Sequence, residues 1–297
     1  MLKRTLFFGN PYHLRSELDQ LVLENKSTGE IRTIPAEDLG FVILEHPQIT
    51  FSQGAMRLFL RHNVAAVFCD EKFLPQGMLL NLDGNNLQSA RFRSQLEVTE
   101  PLKKQLWKQT IVQKIRNQAL LLHRFDKDNE SLIYKSKQVK SGDPTNEEAK
   151  AAAIYWKRLM GSGFTRERFG DEPNAQLNYS YAILRAAVAR ALSGSGLHPT
   201  IGIFHRNQYN SYCLADDIME PYRPFADLLV MQSIEVFGST NELNTEIKAH
   251  LLGVLSMNTV MGKRKRPLMV ALSETTSSLA DCYAGKAKKL KYPSLSV

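Results

Sequence analysis

The chain has 297 residues, of which 43% are hydrophobic and 23% charged, a composition typical of a soluble globular protein of about two domains. No apolar run approaches the ~20 residues needed to cross a bilayer, and the apolar stretch near the N-terminus is too short for a signal peptide. These features predict a cytoplasmic protein without a membrane partner. Three widely spaced cysteines exclude a disulfide framework and a Cys-x-x-Cys zinc or redox motif.

Residues 1–73 are predicted to form a small β-rich domain with one short helix. The predicted strands, each a short apolar or β-branched run, are Thr5–Phe8, Gln20–Leu23, Glu30–Ile34, Phe41–Leu44 and Val64–Cys69. Lys26–Gly29 supplies a hairpin turn, and Ser52 is the predicted N-cap of a helix from Gln53 to Arg61. Residues 74–88 are rich in Pro, Gly and Asn, which predicts a linker.

Residues 89–297 are predicted to form a larger all-α domain. Apolar residues recur at helical spacing from Trp107 to Leu122, and a second helix over Leu177–Leu192 is stopped by Ser193–Gly196. Further helices are predicted over 225–236 and 242–258. The predicted fold class is therefore α+β, with a β-rich domain followed by a helical one.

The net charge of +8 is unevenly distributed. Residues 1–73 contain 8 basic and 9 acidic residues, whereas the remainder contains 30 basic and 21 acidic ones. The second part of the chain is therefore the better candidate for contact with a polyanion, although charge alone does not distinguish that role from an ordinary basic surface.

Glu148 lies in the stretch Gly142–Ala149 and has two interpretations. Thr145 and Glu148 have the spacing of a capping box, in which the glutamate bonds back to the backbone at the helix start. Asp143-Pro144 could equally supply the cap and the first helical residue. A first-turn carboxylate can still face a cleft in either case, so Glu148 remains a candidate ligand.

Asp217 and Glu220 are three residues apart and would share one face of a helix, which Pro221 ends or kinks. Two neighbouring carboxylates repel each other unless a proton or a cation lies between them. Arg223 would supply that cation in a structural interpretation, and a divalent metal would supply it in a functional one.

His205 ends the apolar run that begins at Thr200, where the chain leaves a buried segment, and is either a structural histidine or a ligand. Carboxylates together with an imidazole suit a fairly hard divalent cation. Such a cation in a basic protein indicates phosphodiester chemistry.

Taken together, the order Glu148, His205 and Asp217-x-x-Glu220 resembles that of one family, the CRISPR-associated adaptation endonuclease/integrase ("Cas one"). Lys108–Gln118 is similar to the Lys-Ile-x-Asn-Gln helix of that family. The other similar segments are Gly142–Ala149, Leu177–Leu184, Gly202–His205 and Asp217–Pro224. The similarity runs along nearly the whole chain and is greatest to the form found in type II systems.

The resemblance implies an N-terminal β domain and a helical domain that binds Mg²⁺ or Mn²⁺. The metal ligands and catalytic residues that it implies are Glu148, His205 and Glu220. Asp217 would line the same pocket, and Arg223 and Glu147 would lie beside it.

Two details of the implied ligand set stay open. Glu147 adjoins Glu148, and Glu148 is preferred because the acid of the family directly precedes a small residue, here Ala149. Glu220 stands where many relatives have Asp, so its longer side chain leaves the metal distance and the coordination undetermined.

The activity that the resemblance implies is spacer acquisition, in which the 3′-OH of a short DNA fragment attacks a phosphodiester bond of a CRISPR array. Water in place of that hydroxyl would give endonuclease activity. The implied partners are double-stranded DNA (spacer precursor and CRISPR repeat), a second copy bound through residues 1–73 to form a homodimer, and the small ferredoxin-fold Cas adaptation subunit. The candidates for DNA phosphate contacts are Lys103, Lys104, Lys108, Lys114, Arg116, Arg166, Arg168, Lys263, Arg264, Lys265 and Arg266.

Two other functions are compatible with the residues alone. A non-enzymatic helical DNA-binding protein would use the acids only as helix caps, and an unrelated metal-dependent nuclease would cleave DNA without joining it. A carboxylate-bridged di-metal oxidoreductase is disfavoured because the chain contains no Glu-x-x-His pair.

Overall fold

The structure, a computed structural model, describes residues 3–71 and 74–296 and separates into two compact units, Met1–Asn86 and Leu87–Val297. The first unit is rich in strands and the second is mostly helical, so the predicted α+β order is confirmed. The predicted end of the β domain at residue 73 falls outside the described residues.

The first unit contains two four-stranded sheets and one α-helix. Its elements are β1 (Arg4–Phe8), β2 (Tyr12–Glu17), β3 (Gln20–Asn25), β4 (Ile31–Pro35), β5 (Leu39–Leu44), β6 (Thr50–Phe51), α1 (Gln53–Arg61), β7 (Ala65–Cys69) and β8 (Pro75–Leu79). One sheet has the order β1-β5-β7-β8, in which β8 alone is antiparallel to its neighbour. The other has the order β4-β3-β2-β6, with an antiparallel β2-β3-β4 core and a short parallel β6.

Apolar side chains from both sheets and α1 form the core of this unit, among them Leu14, Val42 and Phe59. Strand β5 is buried along its whole length, as expected for an apolar run between two parallel neighbours. The predicted helix cap is confirmed, because the Ser52 side chain accepts a hydrogen bond from the Ala55 amide.

Two segments of the first unit differ from the prediction. Strand β2 had no predicted counterpart, because Leu14 is its one buried residue and the alternation of apolar and polar residues is weak. The linker predicted over 74–88 is wrong in its first part, where Pro75–Leu79 pair with β7. Pro75 begins an edge strand, a place where a missing N–H is tolerated.

The second unit is built around two long buried helices. Its elements are α2 (Gln88–Leu96), α3 (Glu100–Arg124), α4 (Glu130–Gln138), α5 (Glu147–Met160), α6 (Asn174–Gly194), α7 (Cys213–Met219), α8 (Arg223–Phe237), α9 (Thr245–Leu252), β9 (Asn258–Met261), β10 (Arg264–Pro267) and α10 (Leu268–Tyr283). The predicted helices around Trp107–Leu122, over Leu177–Leu192 and over 225–236 correspond to α3, α6 and α8. Across the described ranges, no helix has both the length and the apolar character of a membrane span.

The second unit is not all-α, contrary to the prediction. Strands β9 and β10 form an antiparallel hairpin, and the basic cluster Lys263–Arg266 lies on it. The helix predicted over 242–258 is correspondingly shorter, because α9 ends at Leu252 and a single 3-10 turn over Gly253–Ser256 leads into the hairpin.

The segment that follows α10 packs along α3. Gln109 Nε2 donates to the Lys288 carbonyl oxygen (3.1 Å), and the hydroxyls of Thr110 and Tyr292 lie 2.9 Å apart. Two turns further along, Asn117 Nδ2 donates to the Pro293 carbonyl oxygen (3.1 Å). Helix α3 is therefore held on one side by the C-terminal segment.

Candidate active site

The start of α5 is capped by residues other than those of the predicted capping box. The Asp143 carboxylate accepts hydrogen bonds from the amides of Glu147 (2.9 Å) and Glu148 (3.0 Å), and the Asn146 side chain accepts one from the Ala149 amide (3.3 Å). The Thr145–Glu148 capping box is therefore wrong. Because Asp143 and Asn146 satisfy the free amides of the first turn, the Glu148 side chain is left for other contacts.

The two adjacent glutamates at the start of α5 face different partners. Glu147 pairs with Lys135 (3.2 Å) and Lys150 (2.9 Å), whereas Glu148 Oε1 lies 2.6 Å from Lys114 Nζ on α3. The preference for Glu148 over Glu147 thus agrees with the geometry. The contacts of Glu147 are with two other lysines, and its place beside the same pocket stays a prediction.

Lys114 joins the two acids that the sequence predicted as ligands. Its Nζ lies 2.6 Å from Glu148 Oε1 and 2.6 Å from Glu220 Oε2, and only 10% of its side chain is exposed. Burial lowers the pKa of this amine, but the two carboxylates outweigh that effect and raise it above its ordinary value. The prediction that Lys114 contacts DNA phosphate is therefore wrong in this structure, where the ammonium is an internal partner of Glu148 and Glu220.

Glu220 lies where α7 passes through one 3-10 turn, Glu220–Tyr222, into α8. Its Oε1 accepts a hydrogen bond from Arg223 Nε (2.7 Å), so the arginine partner considered from the sequence is present. Burial opposes ionisation of this carboxyl, but Arg223 and Lys114 together lower its pKa to about 2. Its Oε2 is buried and close to Lys114 Nζ, yet makes no hydrogen bond with a well-aligned donor.

Asp217 holds the loop that carries His205. Its carboxylate accepts hydrogen bonds from the amides of Ile203 (2.7 Å), Phe204 (3.0 Å) and His205 (3.2 Å). It also accepts one from His205 Nδ1 (2.6 Å). Gly202 is required here, because a Cβ at this position would come within 2.5 Å of the His205 carbonyl oxygen and 2.8 Å of Asp217 Oδ2.

The Asp217 bond sets the state of the imidazole. The hydrogen bond from Nδ1 raises the pKa of His205, while burial raises the pKa of the Asp217 carboxyl against the bonds that it accepts. Because a carboxylate can only accept, Nδ1 carries the proton and Nε2 is left for another partner. The His205 side chain is 42% exposed, and Nε2 has no hydrogen-bond partner within residues 3–71 and 74–296.

Aromatic rings fix the imidazole on its other side. Phe204 stacks on the buried Trp107 with ring centroids 4.2 Å apart and an interplanar angle of 2°. The His205 ring meets both of them edge-on, at 5.7 Å from Trp107 and 5.5 Å from Phe204. The ring of His205 is therefore oriented by packing as well as by Asp217.

The donor set fits a hard divalent cation, although the side chains are not gathered around one point. No three His, Cys, Asp or Glu side chains within the described part of the chain are close enough to hold a metal ion. Glu148 and Glu220 meet at Lys114, and His205 turns to Asp217 but remains near enough for the charge of Glu220 to raise its pKa. Carboxylate oxygens and an imidazole suit Mg²⁺ or Mn²⁺, and Glu220 Oε2 is a buried oxygen without an aligned donor.

The family model described as CRISPR associated protein Cas1 matches residues 6–242. The chain belongs to the Cas1 family. It is 37% identical over 298 residues to the CRISPR-associated endonuclease Cas1 of Neisseria meningitidis serogroup C, covering 99% of this chain and 97% of that protein. The family predicted from the sequence is therefore confirmed, and the type II form stays a prediction that is compatible with these similarities.

Solved structures agree with the Cas1 fold. A casposase bound to integration product superposes with a TM-score of 0.78 at 19% identity, over 98% of this chain and 93% of that one. A chain of a Cas6-RT-Cas1–Cas2 complex superposes with a TM-score of 0.75 at 19% identity, over 98% of this chain and 36% of that longer one. At these identities the likeness shows the fold alone.

A buried polar layer lies next to this Cas1 site and was not predicted. Asp227 on α8 accepts hydrogen bonds from the hydroxyls of Tyr155 and Tyr181, each 2.6 Å long. The Arg223 guanidinium lies over the Tyr181 ring, 4.5 Å from its centroid, and reaches Glu220 from there. The one sequence signal for this layer was an acid inside the apolar stretch Phe225–Val230.

We expect Asp227 to make the stability of the protein fall as the pH rises from about 4 to about 6. Burial raises its pKa to about 6 from the ordinary 3.8, against the two tyrosine hydroxyls and the nearby arginines. A raised pKa favours folding below the unfolded value, and that contribution is lost as the pH rises through the folded one. The shift corresponds to about 3 kcal/mol in the free energy of unfolding.

Denaturant unfolding of wild type and Asp227→Asn at several pH values measures this effect. The asparagine accepts from one tyrosine and donates to the other, so the variant keeps the packing and loses the titration. The difference in unfolding free energy between the two proteins should change by about 3 kcal/mol between pH 4 and pH 7 in favour of the variant. Parallel pH profiles would contradict the assignment.

The remaining candidates for DNA contact differ in their exposure and in the hydrogen bonds and ion pairs that they make within the protein. Lys103 pairs with Glu100 (3.1 Å), and Arg166 donates to the side chains of Asn174 (2.9 Å) and Asn178 (2.7 Å). The exposed members are Lys104, Arg116, Arg168, Lys263, Arg264 and Lys265, while Lys108 and Arg266 are half-buried. Their contact with DNA stays a prediction.

Proposed function

We propose that this protein is a divalent-metal-dependent DNA endonuclease and strand-transfer integrase that inserts short DNA fragments into a CRISPR array. The observation that carries the proposal is the pair Glu148–Glu220, held at one cation beside the Asp217-oriented His205. The 37%-identical relative is named an endonuclease, and one structure of the same fold is a casposase bound to integration product. Both names support DNA strand chemistry at this site.

Glu148, His205 and Glu220 are the residues proposed to hold Mg²⁺ or Mn²⁺. When bound, such an ion would neutralise phosphate oxygens and make the attacking hydroxyl more acidic. Asp217 holds the imidazole through Nδ1 and so leaves Nε2 for a metal ligand bond, and Arg223 holds Glu220 through its hydrogen bond to Oε1. The attacking group is the 3′-OH of a DNA end in strand transfer and water in cleavage.

The proposed partners follow from the same comparisons and from charge. Double-stranded DNA, as spacer precursor and CRISPR repeat, would contact the basic second unit, in which lysines and arginines exceed acids. A structure of the same fold is a complex that contains Cas2, which supports assembly with a small Cas adaptation subunit. A homodimer formed through the strand-rich first unit and a type II system complete the proposal.

We expect His205→Ala to reduce Mn²⁺-dependent cleavage and integration by at least about 100-fold. Changes to groups that merely orient a ligand cost 10–100-fold, so loss of a ligand should cost at least the upper value. Cleavage and joining of labelled DNA are measured with Mn²⁺, with Mg²⁺ and with chelator. His123→Ala, which removes an exposed histidine from α3, is the matched control and should retain wild-type activity.

The same assay separates the alternatives. Activity that is equal in wild type and His205→Ala, or absent from both with either metal, would support a non-enzymatic DNA-binding protein. Cleavage without joined product would support an unrelated metal-dependent nuclease.

A further inference from the structure

Lys114 is a buried cation whose two ion-pair partners are the carboxylates proposed to bind metal. It lies on the face of α3 that also buries Ile111 and Ile115, and 10% of its side chain is exposed. Lysines are almost never buried to this extent unless they are paired. Each carboxylate oxygen lies 2.6 Å from Nζ, so the two oxygens are no further apart than twice that distance.

The two contacts of Lys114 are not equivalent. The contact with Glu148 Oε1 is a hydrogen bond, whereas Glu220 Oε2 lies equally close to Nζ without an aligned N–H donor. The Glu220 Oε2 contact is therefore an ion pair with the Lys114 ammonium, while the well-aligned hydrogen bond of this carboxylate comes from Arg223 to Oε1. The Oε2 oxygen needs a neighbouring positive charge. A divalent cation, which makes no bonds of fixed direction, supplies that charge as well as an ammonium does.

We infer that Lys114 is an internal counter-cation that holds Glu148 and Glu220 together in the metal-free protein, and that a divalent cation must displace it from Glu220 to bind. This inference rests on the proposed metal-dependent function. Without any cation, two carboxylates this close would repel each other and separate. The flexible four-carbon stem of lysine lets the ammonium move. Glu148 is the more exposed of the two acids, with 24% of its side chain exposed.

Removal of the Lys114 charge should change the affinity of the site for a divalent cation, and the direction of that change tests the role of Lys114. If Lys114 competes with the divalent cation, then removing its charge leaves a more negative pair and increases metal affinity. Arg223 still holds Glu220 in place in that case, through its 2.7 Å hydrogen bond to Oε1. If Lys114 merely orients the two acids, its removal decreases metal affinity instead.

Isothermal titration calorimetry with Mn²⁺ distinguishes the two signs. We expect Lys114→Met to lower the Kd for Mn²⁺ about tenfold, equivalent to about 1.4 kcal/mol. Arg116→Met, which removes an exposed charge from the same helix, is the matched control and should leave the Kd unchanged. Unchanged or weaker binding by Lys114→Met, while wild type binds Mn²⁺, overturns the inference and leaves the proposed function intact.

Two further measurements keep the outcomes separate. If wild type does not bind Mn²⁺, or if it binds Mn²⁺ no more tightly than Glu148→Gln does, the proposed function is overturned together with the inference. Acylation of wild-type lysines, measured by mass spectrometry, does not depend on the folding of any variant. We expect Mn²⁺ to raise the modification of Lys114 several-fold relative to the exposed Lys137, and an unchanged or reduced rate overturns the displacement.

Discussion

Replacement of Glu220 by glutamine is expected to lower the free energy of unfolding of the metal-free protein by about 3–5 kcal/mol. The carboxylate is 5% exposed and lies between two cations, Lys114 Nζ at 2.6 Å and Arg223 Nε at 2.7 Å. Without the Glu220 charge, the buried Lys114 keeps only Glu148 as a partner, and the half-buried Arg223 loses its ion partner. Breaking a buried pair by removing one partner is costly because the other charge remains buried and uncompensated.

Glu148→Gln is the matched comparison, because this acid contacts the same ammonium from a more exposed position. Its loss should cost about 1 kcal/mol, in the range of exposed or partly exposed ion pairs. Both variants are unfolded with denaturant in the presence of chelator, so that no metal contributes. Equal costs for the two substitutions would show that the burial of Glu220 and its second cation do not matter.

The pH dependence gives an independent check on Glu220. Burial opposes its ionisation, yet Arg223 and Lys114 lower its pKa to about 2 from the ordinary 4.5. A lowered pKa stabilises the folded state above the unfolded value, and that contribution is lost as the pH falls through the folded one. The advantage of wild type over Glu220→Gln should therefore be constant above about pH 4.5 and decrease towards pH 2.

The elements that could be predicted from the sequence are those whose signal is local. Helices α3 and α6 have long apolar periodicities, and α1 is marked by the Ser52 cap, so all three were predicted near their observed positions. Strands β2 and β8 could not be predicted in this way. Their residues are weakly apolar, and β8 contains Pro75 and Gly77, so they are strands because a neighbouring strand pairs with them.

In the candidate site, too, some features could be predicted from neighbouring residues and others depend on packing between distant segments. The motif order favoured Glu148 over Glu147 from a local feature, a first-turn acid preceding a small residue, and the shared contact of Glu148 and Glu220 with Lys114 agrees with that preference. The internal ion pairs of Lys114 could not be predicted from the neighbouring sequence, because the sequence alone does not distinguish a buried lysine on a helix from a solvated one or from a phosphate contact. Only the packing of α3 against α5 and the Glu220 turn shows that this ammonium points inward to two acids.

The buried side chain of Asn117 links three segments next to the candidate site. It follows Lys114 on α3 in the Lys-Ile-x-Asn-Gln segment and is fully buried. Its Nδ2 donates to the carbonyl oxygens of Pro221 (2.7 Å) and Pro293 (3.1 Å). Its Oδ1 accepts from Gln113 Nε2 (3.1 Å) and from the Leu295 amide (3.2 Å). One amide thus joins α3, the turn after Glu220 and the C-terminal segment.

We expect Asn117→Ala to lower the free energy of unfolding by about 3 kcal/mol or more. The substitution leaves a cavity and deprives buried carbonyl oxygens and an amide of a partner, and each unsatisfied buried group costs about 1–3 kcal/mol. Asn117→Asp should be at least as destabilising at neutral pH, because its carboxylate would face the carbonyl oxygens of Pro221 and Pro293. Gln105→Ala, an exposed change on the same helix, is the control and should stay within about 0.5 kcal/mol of wild type.

Hydrogen exchange localises the effect of Asn117. The Leu295 amide donates to Asn117 Oδ1 and should exchange faster in Asn117→Ala than expected from the lower global stability, because its acceptor is gone while the Ser294–Val260 hydrogen bonds remain. Loss of the Pro221 contact should also loosen the turn that positions Glu220, so Mn²⁺ binding should weaken in the folded variant. Protection of Leu295 equal to that of wild type, with an unchanged Kd for Mn²⁺, would mean that Asn117 links neither the C-terminal segment nor the turn to the site.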